Sequence, residues 1–252
     1  MYKTITSREN PVIKEACKLH RKAARDETGR FLMEGERLVL DAAGKGVRLK
    51  KLFLSPRYQD IALDSEERYH VSERVFASLS ETTAPQGIAA VADKVITPVD
   101  RLDTSRPLAV LDRISDPGNM GTIIRTADAA GFAGVALLPG CVDVFSPKTV
   151  RATMGSLFSV PVAMPASLEE LKGYRLIAAD LEGANNLYET DLSSPFAIVI
   201  GNEAGGISKD ILQQCGSRIK IPMLGRSESL NAAVSFAVIA FESVRQRQFQ
   251  RQ

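Results

Sequence analysis

Three short stretches of this chain place polar side chains and glycines at spacings suited to holding a ligand. The first is Asn119-x-Gly121-x-x-x-Arg125. Gly118 and Gly121 suit a tight loop entering a helix whose free N–H groups would hold an anion. Arg125 follows among apolar neighbours, where a guanidinium needs a partner, either an internal acid or a ligand phosphate or carboxylate. The second stretch, Ile200-Gly201-Asn202-Glu203-Ala204-Gly205-Gly206, has glycines spaced so that backbone can approach a ligand closely. Glu203 there would either cap a backbone amide or orient a substrate. The third runs from Ile221-Pro222-Met223 through a polar loop to Ser229-Leu230-Asn231-x-x-x-Ser235. Ser229 reads as an N-cap, and the helix beyond Asn231 is apolar nearly all round, so it is expected to be buried. Neither the G-x-G-x-x-G dinucleotide fingerprint nor a Gly-Lys-Ser/Thr phosphate loop is present, which disfavours a dehydrogenase or a Walker-type NTPase.

The elements that must position these stretches are short apolar runs: Leu108–Asp112, Val135–Leu138, Leu176–Asp180, Phe196–Ile200 and Ile219–Ile221, separated by helix-like segments. That alternation predicts an α/β domain with a parallel sheet covered on both faces, where ligands bind beyond the carboxyl ends of the strands. The segments quoted above follow three of those runs. Upstream, the pattern is a smaller α/β module. A helix opens at Pro11, strands are expected at Arg30–Gly35, Leu49–Leu54, Tyr69–Val71 and Gly87–Ala92, and a helix over Glu36–Gly44 closes on glycine. The stretch between Asp93 and Pro107, punctuated by Pro98, divides the two. The expected domains are 1–95 and 107–252, joined by a linker over 96–106.

The whole chain has 252 residues with a formal charge of +2, yet Met1–Asp60 holds fourteen Lys and Arg against eight Asp and Glu. The remainder is therefore mildly acidic. A basic segment on a nearly neutral body is the distribution expected of a protein that meets a polyanion with one part and works with another. Lys14, Lys18, Arg21, Lys22 and Arg25 are the candidate contacts; a solvated helix face is the plainer alternative. Hydrophobic residues at 44% and charged residues at 25% are ordinary for a globular protein. The longest apolar run, Val234–Phe241 broken by Ser235, is too short to span a membrane. The polar N-terminus lacks a signal-peptide core, so a cytoplasmic location is expected. Three cysteines without a C-x-x-C pair, and two histidines, support neither a disulfide framework nor a metal site.

Taken in order, Asn119-x-Gly121-x-x-x-Arg125, Ile200-Gly201-Asn202-Glu203-x-x-Gly206 and Ile221-Pro222-Met223 with Ser229-Leu230-Asn231-x-x-x-Ser235 resemble the three motifs of the SpoU (TrmH-type) RNA ribose 2′-O-methyltransferases of the SPOUT superfamily. Pro147-Lys148-x-x-Arg151-Ala152-x-x-Gly155-Ser156 matches a helix start that recurs in that family. Phe31–Leu38 and Thr83–Ala89 resemble its separate substrate-binding domain, which is similar to small ribosomal RNA-binding proteins.

The resemblance implies an N-terminal ribosomal-protein-like RNA-binding domain and a C-terminal parallel-sheet SPOUT domain with a deep trefoil knot, an exception to the usual un-knotted chain. It implies S-adenosylmethionine as cofactor, held by Gly201, Ile221 and Leu230 with Asn202, Met223 and Asn231 nearby, and a homodimer with its sites near the interface. Arg125, Asn119, Glu203, Ser229 and Asn231 would form the catalytic set. Arg125 is the residue tied to removal of the ribose hydroxyl proton, either as a perturbed base or as a cation fixing phosphate and stabilising the alkoxide. Structured large-subunit (23S) rRNA is the expected substrate. A tRNA 2′-O-methyltransferase and a non-catalytic RNA-binding assembly factor on the same fold are the alternatives.

Overall fold

The computed structural model describes residues 3–58, 61–226 and 228–249. It divides into two compact units, Met1–Val95 with Asp143–Phe158, and Ile96–Val142 with Ser159–Gln252.

In the first unit the order is β1 (Lys3–Ile5), α1 (Pro11–Lys18), α2 (Lys22–Thr28), β2 (Arg30–Glu34), α3 (Glu36–Gly44), β3 (Leu49–Leu54), β4 (Glu67–Val71), α4 (Glu73–Leu79) and β5 (Ile88–Asp93). The strands form one mixed sheet in the order β1-β4-β3-β5-β2, parallel among β1, β4 and β3 and antiparallel where β5 meets β3 and β2. α1 starts where the sequence predicts, because Pro11 brings no N–H to satisfy and the Asn10 side chain accepts from Val12 N–H. Its apolar side buries Ile13 and Ala16 in a core with Phe53, Tyr69 and Phe76. Ile13, Phe53 and Phe76 each contribute about 1.5–3 kcal/mol by leaving water. α2 stops at Gly29, whose φ of +66° only glycine adopts cheaply.

In the second unit the order begins β6 (Leu108–Leu111), α5 (Pro117–Ala129), β7 (Gly134–Leu137); α6 (Pro147–Ala152), capped by Ser146, belongs to the first unit. Then follow β8 (Val162–Ala163), β9 (Leu176–Ala179), β10 (Asn185–Asn186), β11 (Ala197–Ile200), α7 (Lys209–Gln214), β12 (Ser217–Lys220) and α8 (Ala232–Phe249). All seven strands pair in parallel in the order β10-β12-β9-β11-β6-β7-β8. One face is covered by Leu168, Leu171, Ile211 and Leu212. Phe132 meets Phe196 and Phe236 edge to face in the same unit. The five apolar runs are all strands, and burial of β6, β7 and β11 at every position explains why they lack alternation.

Several local expectations change. The glycines Gly118 and Gly121 lie inside α5, since Asp116 caps the helix and Pro117 takes its first position. α8 is capped by Asn231 and not by Ser229: Asn231 Oδ1 accepts from Ala233 and Val234 N–H at 2.9 and 3.3 Å. α8 is also not wholly buried, because Val234 and Phe241 are 47% and 51% exposed. β1, β8 and β10 were not expected; two or three residues carry too little pattern to announce a strand. The three cysteines are free thiols. Burial pushes Cys141 and Cys215 up to about 11, which leaves them poor nucleophiles.

Candidate active site

The carboxyl ends of β6, β9, β11 and β12 carry the polar segments of the second unit. At the end of β6, buried Asp112 accepts Ser208 N–H at 2.7 Å, and Arg113 takes a φ of +55°. The chain then enters α5, where Asp116 Oδ1 accepts Asn119 N–H at 2.8 Å and so fixes the Asn119 backbone.

The loop after β11 closes on itself. Asn202 and Gly206 exchange backbone hydrogen bonds of 3.0 and 2.9 Å, and Asn202 Oδ1 accepts Ala204 and Gly205 N–H. Asn202 Nδ2 donates to Arg113 carbonyl at 2.8 Å. This closure explains Gly201, since a Cβ there would sit 2.2 Å from the Gly206 carbonyl carbon. Gly206 itself has a φ of +59°.

Three of the expected catalytic residues join one another. Asn119 Nδ2 donates to Glu203 Oε1 at 2.6 Å, and Asn231 Nδ2 donates to Asn119 Oδ1 at 2.9 Å. Ser115 hydroxyl donates to Glu203 Oε2 at 3.2 Å. Burial pushes the Glu203 carboxyl up, but the hydrogen bonds from Asn119 and Ser115 outweigh it and leave the group below its ordinary value. Glu203 is therefore an anion with both oxygens engaged, fit to orient Asn119 and ill suited to accept a further proton. Arg125, two turns further along α5, is exposed, with no hydrogen-bond or ion-pair partner among the described residues. The internal acid that the sequence allows for it is not found among the described residues.

A pocket of about 220 Å³ lies over these strand ends. Gly201, Asn202, Glu203, Ile221, Met223, Ser229 and Leu230 line it; Asn119, Arg125 and Asn231 do not. Polar and apolar groups share its walls about equally, the apolar part coming from residues such as Ile200, Ile219, Ile221 and Leu230. Sequence reading missed Asp180 and Leu181, which line the pocket beyond β9, and Ser115, which holds Glu203. Asp180 ends one of the apolar runs, and that position was its signal.

In the first unit the basic candidates separate. Lys18 and Arg21 are exposed without partners among the described residues. Lys14 pairs with Glu9 at 2.5 Å and Lys22 with Asp26 at 2.6 Å. Hydrogen bonds from Lys22 and Lys94 hold the Asp26 carboxyl down at about 2. Arg25 departs from the expectation of an RNA contact. It is 3% exposed, its Nε and Nη2 reach Asp143 Oδ2 at 2.8 and 2.6 Å, and its Nη1 donates to the carbonyls of Leu19 and His20. The guanidinium is consumed in tying α2 to the segment that begins at Asp143.

Parallel strands, a glycine-closed loop and a polar network at their carboxyl ends define a nucleotide-type ligand site in an α/β enzyme. Residues 107–241 match the model of the SpoU rRNA Methylase family, and residues 10–90 match that of the MRM3-like substrate binding domain. The chain belongs to the SpoU rRNA methylase family. It is 37% identical to the 23S rRNA (guanosine(2553)-2′-O)-methyltransferase RlmP of Bacillus subtilis over 95% of this chain and 98% of that one. An AdoMet-bound rRNA methyltransferase from Sinorhizobium meliloti superposes with a TM-score of 0.88 at 33% identity, covering 97% and 98% of the two chains. The SpoU methyltransferase AviRb from Streptomyces viridochromogenes, solved with AdoMet, gives 0.87 at 28% identity over 95% and 99%.

Proposed function

We propose that the protein transfers a methyl group from S-adenosylmethionine to a ribose 2′-hydroxyl of 23S rRNA, in the cytoplasm and as a homodimer. The observation that carries this reading is the joining of Asn119, Glu203 and Asn231, one residue from each of three separated segments, where the second and third of those segments also line a pocket. Relatives acting on rRNA match both units of the chain, whereas a structure concerned with 2′-OH methylation of C/U34 on tRNA covers only 57% of it, at a TM-score of 0.53. That difference favours rRNA over tRNA.

The pocket suits the cofactor. The apolar part of its walls fits a purine, the backbone of Gly201, Ile221 and Leu230 offers hydrogen-bonding groups, and Met223 and Asn202 flank them. S-adenosylmethionine supplies an electrophilic methyl group. The chain's residues do the rest. Glu203, held anionic, fixes Asn119, and Asn231 ties Asn119 to the start of α8. Arg125, exposed and without a partner among the described residues, acts as the cation that fixes RNA phosphate and stabilises the developing 2′-alkoxide as the hydroxyl proton leaves to solvent. Ser229 stands on the pocket wall and organises the loop before α8. A trefoil knot in the C-terminal part of the second unit would account for how three distant segments share one site.

Lys18 and Arg21, with Lys14 and Lys22 once their acids are displaced, would meet RNA phosphates in the unit that reads as the substrate-binding domain. Exposed Leu224, Val234 and Phe241 support a partner subunit on the second unit. Transfer of tritiated methyl to 23S rRNA from a deletion strain tests the reading. Labelled ribose is the expected result, and label on a base or on no rRNA overturns it.

A further inference from the structure

The polar groups of the pocket are unequally occupied. Asn202 spends its side chain on its own loop and on the Arg113 carbonyl, and each Glu203 oxygen already accepts a hydrogen bond from Asn119, Ser115 or Asn202. Asp180 is different. Its Oδ1 accepts Glu182 N–H at 3.3 Å and its Oδ2 lies 3.4 Å from Arg218 Nη1, both long contacts. A carboxylate offers about four acceptor sites, so Asp180 keeps capacity to spare.

Asp180 is also held rigidly. Its N–H donates to Ile219 carbonyl at 2.9 Å and its carbonyl accepts Gly183 N–H at 3.0 Å. The turn presses against β12 so closely that a Cβ on Gly183 would lie 2.7 Å from the Ile219 carbonyl carbon. The backbone that carries the Asp180 side chain is thus fixed at the pocket wall before a ligand arrives, which lowers the ordering cost of binding. Its side chain is only 19% exposed, next to the apolar walls of Leu181 and Ile219.

We infer that Asp180 accepts the ribose hydroxyls of the cofactor and is the residue that selects a ribosyl ligand in this pocket. The inference rests on the cofactor reading above and deepens it. Two carboxylate oxygens match a vicinal diol in number and spacing. Arg218 beside Asp180 already offsets its negative charge, which favours neutral hydroxyl donors over the cofactor's ammonium group, a cation that Arg218 would repel. An acid at the end of a parallel strand takes ribose hydroxyls in other nucleotide-binding sheets for the same geometric reason.

The test is calorimetric binding of S-adenosylhomocysteine and its 3′-deoxy and 2′-deoxy analogues to the full chain, with no turnover involved. Asp180→Ala is expected to bind the parent ligand about 10- to 100-fold more weakly, the range for a hydrogen bond to a charged group. At least one deoxy analogue should lose a similar factor with the wild type and nothing further with the variant. Asp180→Asn keeps the side-chain volume and repeats the test if the alanine variant unfolds; the wild-type analogue series needs no variant. Equal binding of all three ligands by the wild type overturns the inference. So does a variant that still discriminates against the deoxy analogues, or one that instead stops discriminating against a deaminated ligand. A wild type that binds no S-adenosylhomocysteine overturns the cofactor reading itself, a distinct outcome.

Discussion

Asn119 Nδ2 donates to Glu203 Oε1 at 2.6 Å across 84 residues of sequence. The bond orients the Asn119 amide so that its oxygen faces Asn231, whose own oxygen caps α8. One carboxylate thereby sets the direction of a chain of amides from the loop after β11 to two helix starts. A double-mutant cycle on Asn119→Ala and Glu203→Ala is expected to give a coupling of about 1 kcal/mol in urea unfolding, since the pair is partly exposed and screened. Additive effects would mean that the two residues act separately.

The same pair fixes a pH dependence. The Glu203 carboxyl in the folded protein lies below its ordinary value. Such a group stabilises the fold fully above its unfolded pKa, and that stabilisation is lost as pH falls through the folded value. Glu203→Gln should therefore be less stable than the wild type at pH 7, with the difference shrinking below about pH 4.5, the ordinary value. Unfolding measured between pH 3 and 7 checks this, and a difference that grows toward low pH contradicts it.

Basic residues of α1 and α2 have opposite expected phenotypes. Removing Arg25 leaves Asp143 buried without its partner, and Arg25→Ala should cost about 3–5 kcal/mol in urea unfolding. Lys18→Ala and Arg21→Ala should change stability by less than about 0.5 kcal/mol while weakening RNA binding. Each should reduce the salt slope of RNA affinity by about one if it meets a phosphate. An unaltered salt slope would return those residues to an ordinary solvated face.

Much of this was legible in the sequence where a residue pattern has one physical solution. The five apolar runs of the parallel sheet, the helix start at Pro11 and the three glycine and amide segments are of that kind. Arg25 was misread because α2 gives no sign that Asp143, 118 residues away, will bury it. Ser229 reads as the cap of α8 in the sequence, but the backbone turns helical only after Asn231, whose side chain takes that place. Asp180 stands at a legible place, the end of an apolar run, but its role and that of Ser115 depend on neighbouring strand ends that the sequence does not set beside them.

The exposed apolar residues of α8 make the proposed dimer testable. Phe241→Asp, or Val234→Asp, is expected to convert a dimer into a folded monomer by light scattering, with the helical circular dichroism retained. A variant that remains dimeric would move the interface elsewhere.

The central claim is that these segments assemble one site for ribose methylation, with Arg125 as its exposed cation. The most direct measurement is mass-spectrometric mapping of 23S rRNA after reaction with S-adenosylmethionine and either the wild type or Arg125→Ala, alongside calorimetric binding of S-adenosylhomocysteine to both. The account predicts a 2′-O-methylated ribose with the wild type, a rate at least about 100-fold lower with Arg125→Ala, and equal cofactor-product binding, because Arg125 does not line the pocket. Undiminished methylation by Arg125→Ala, or no methylated ribose with the wild type, would contradict it.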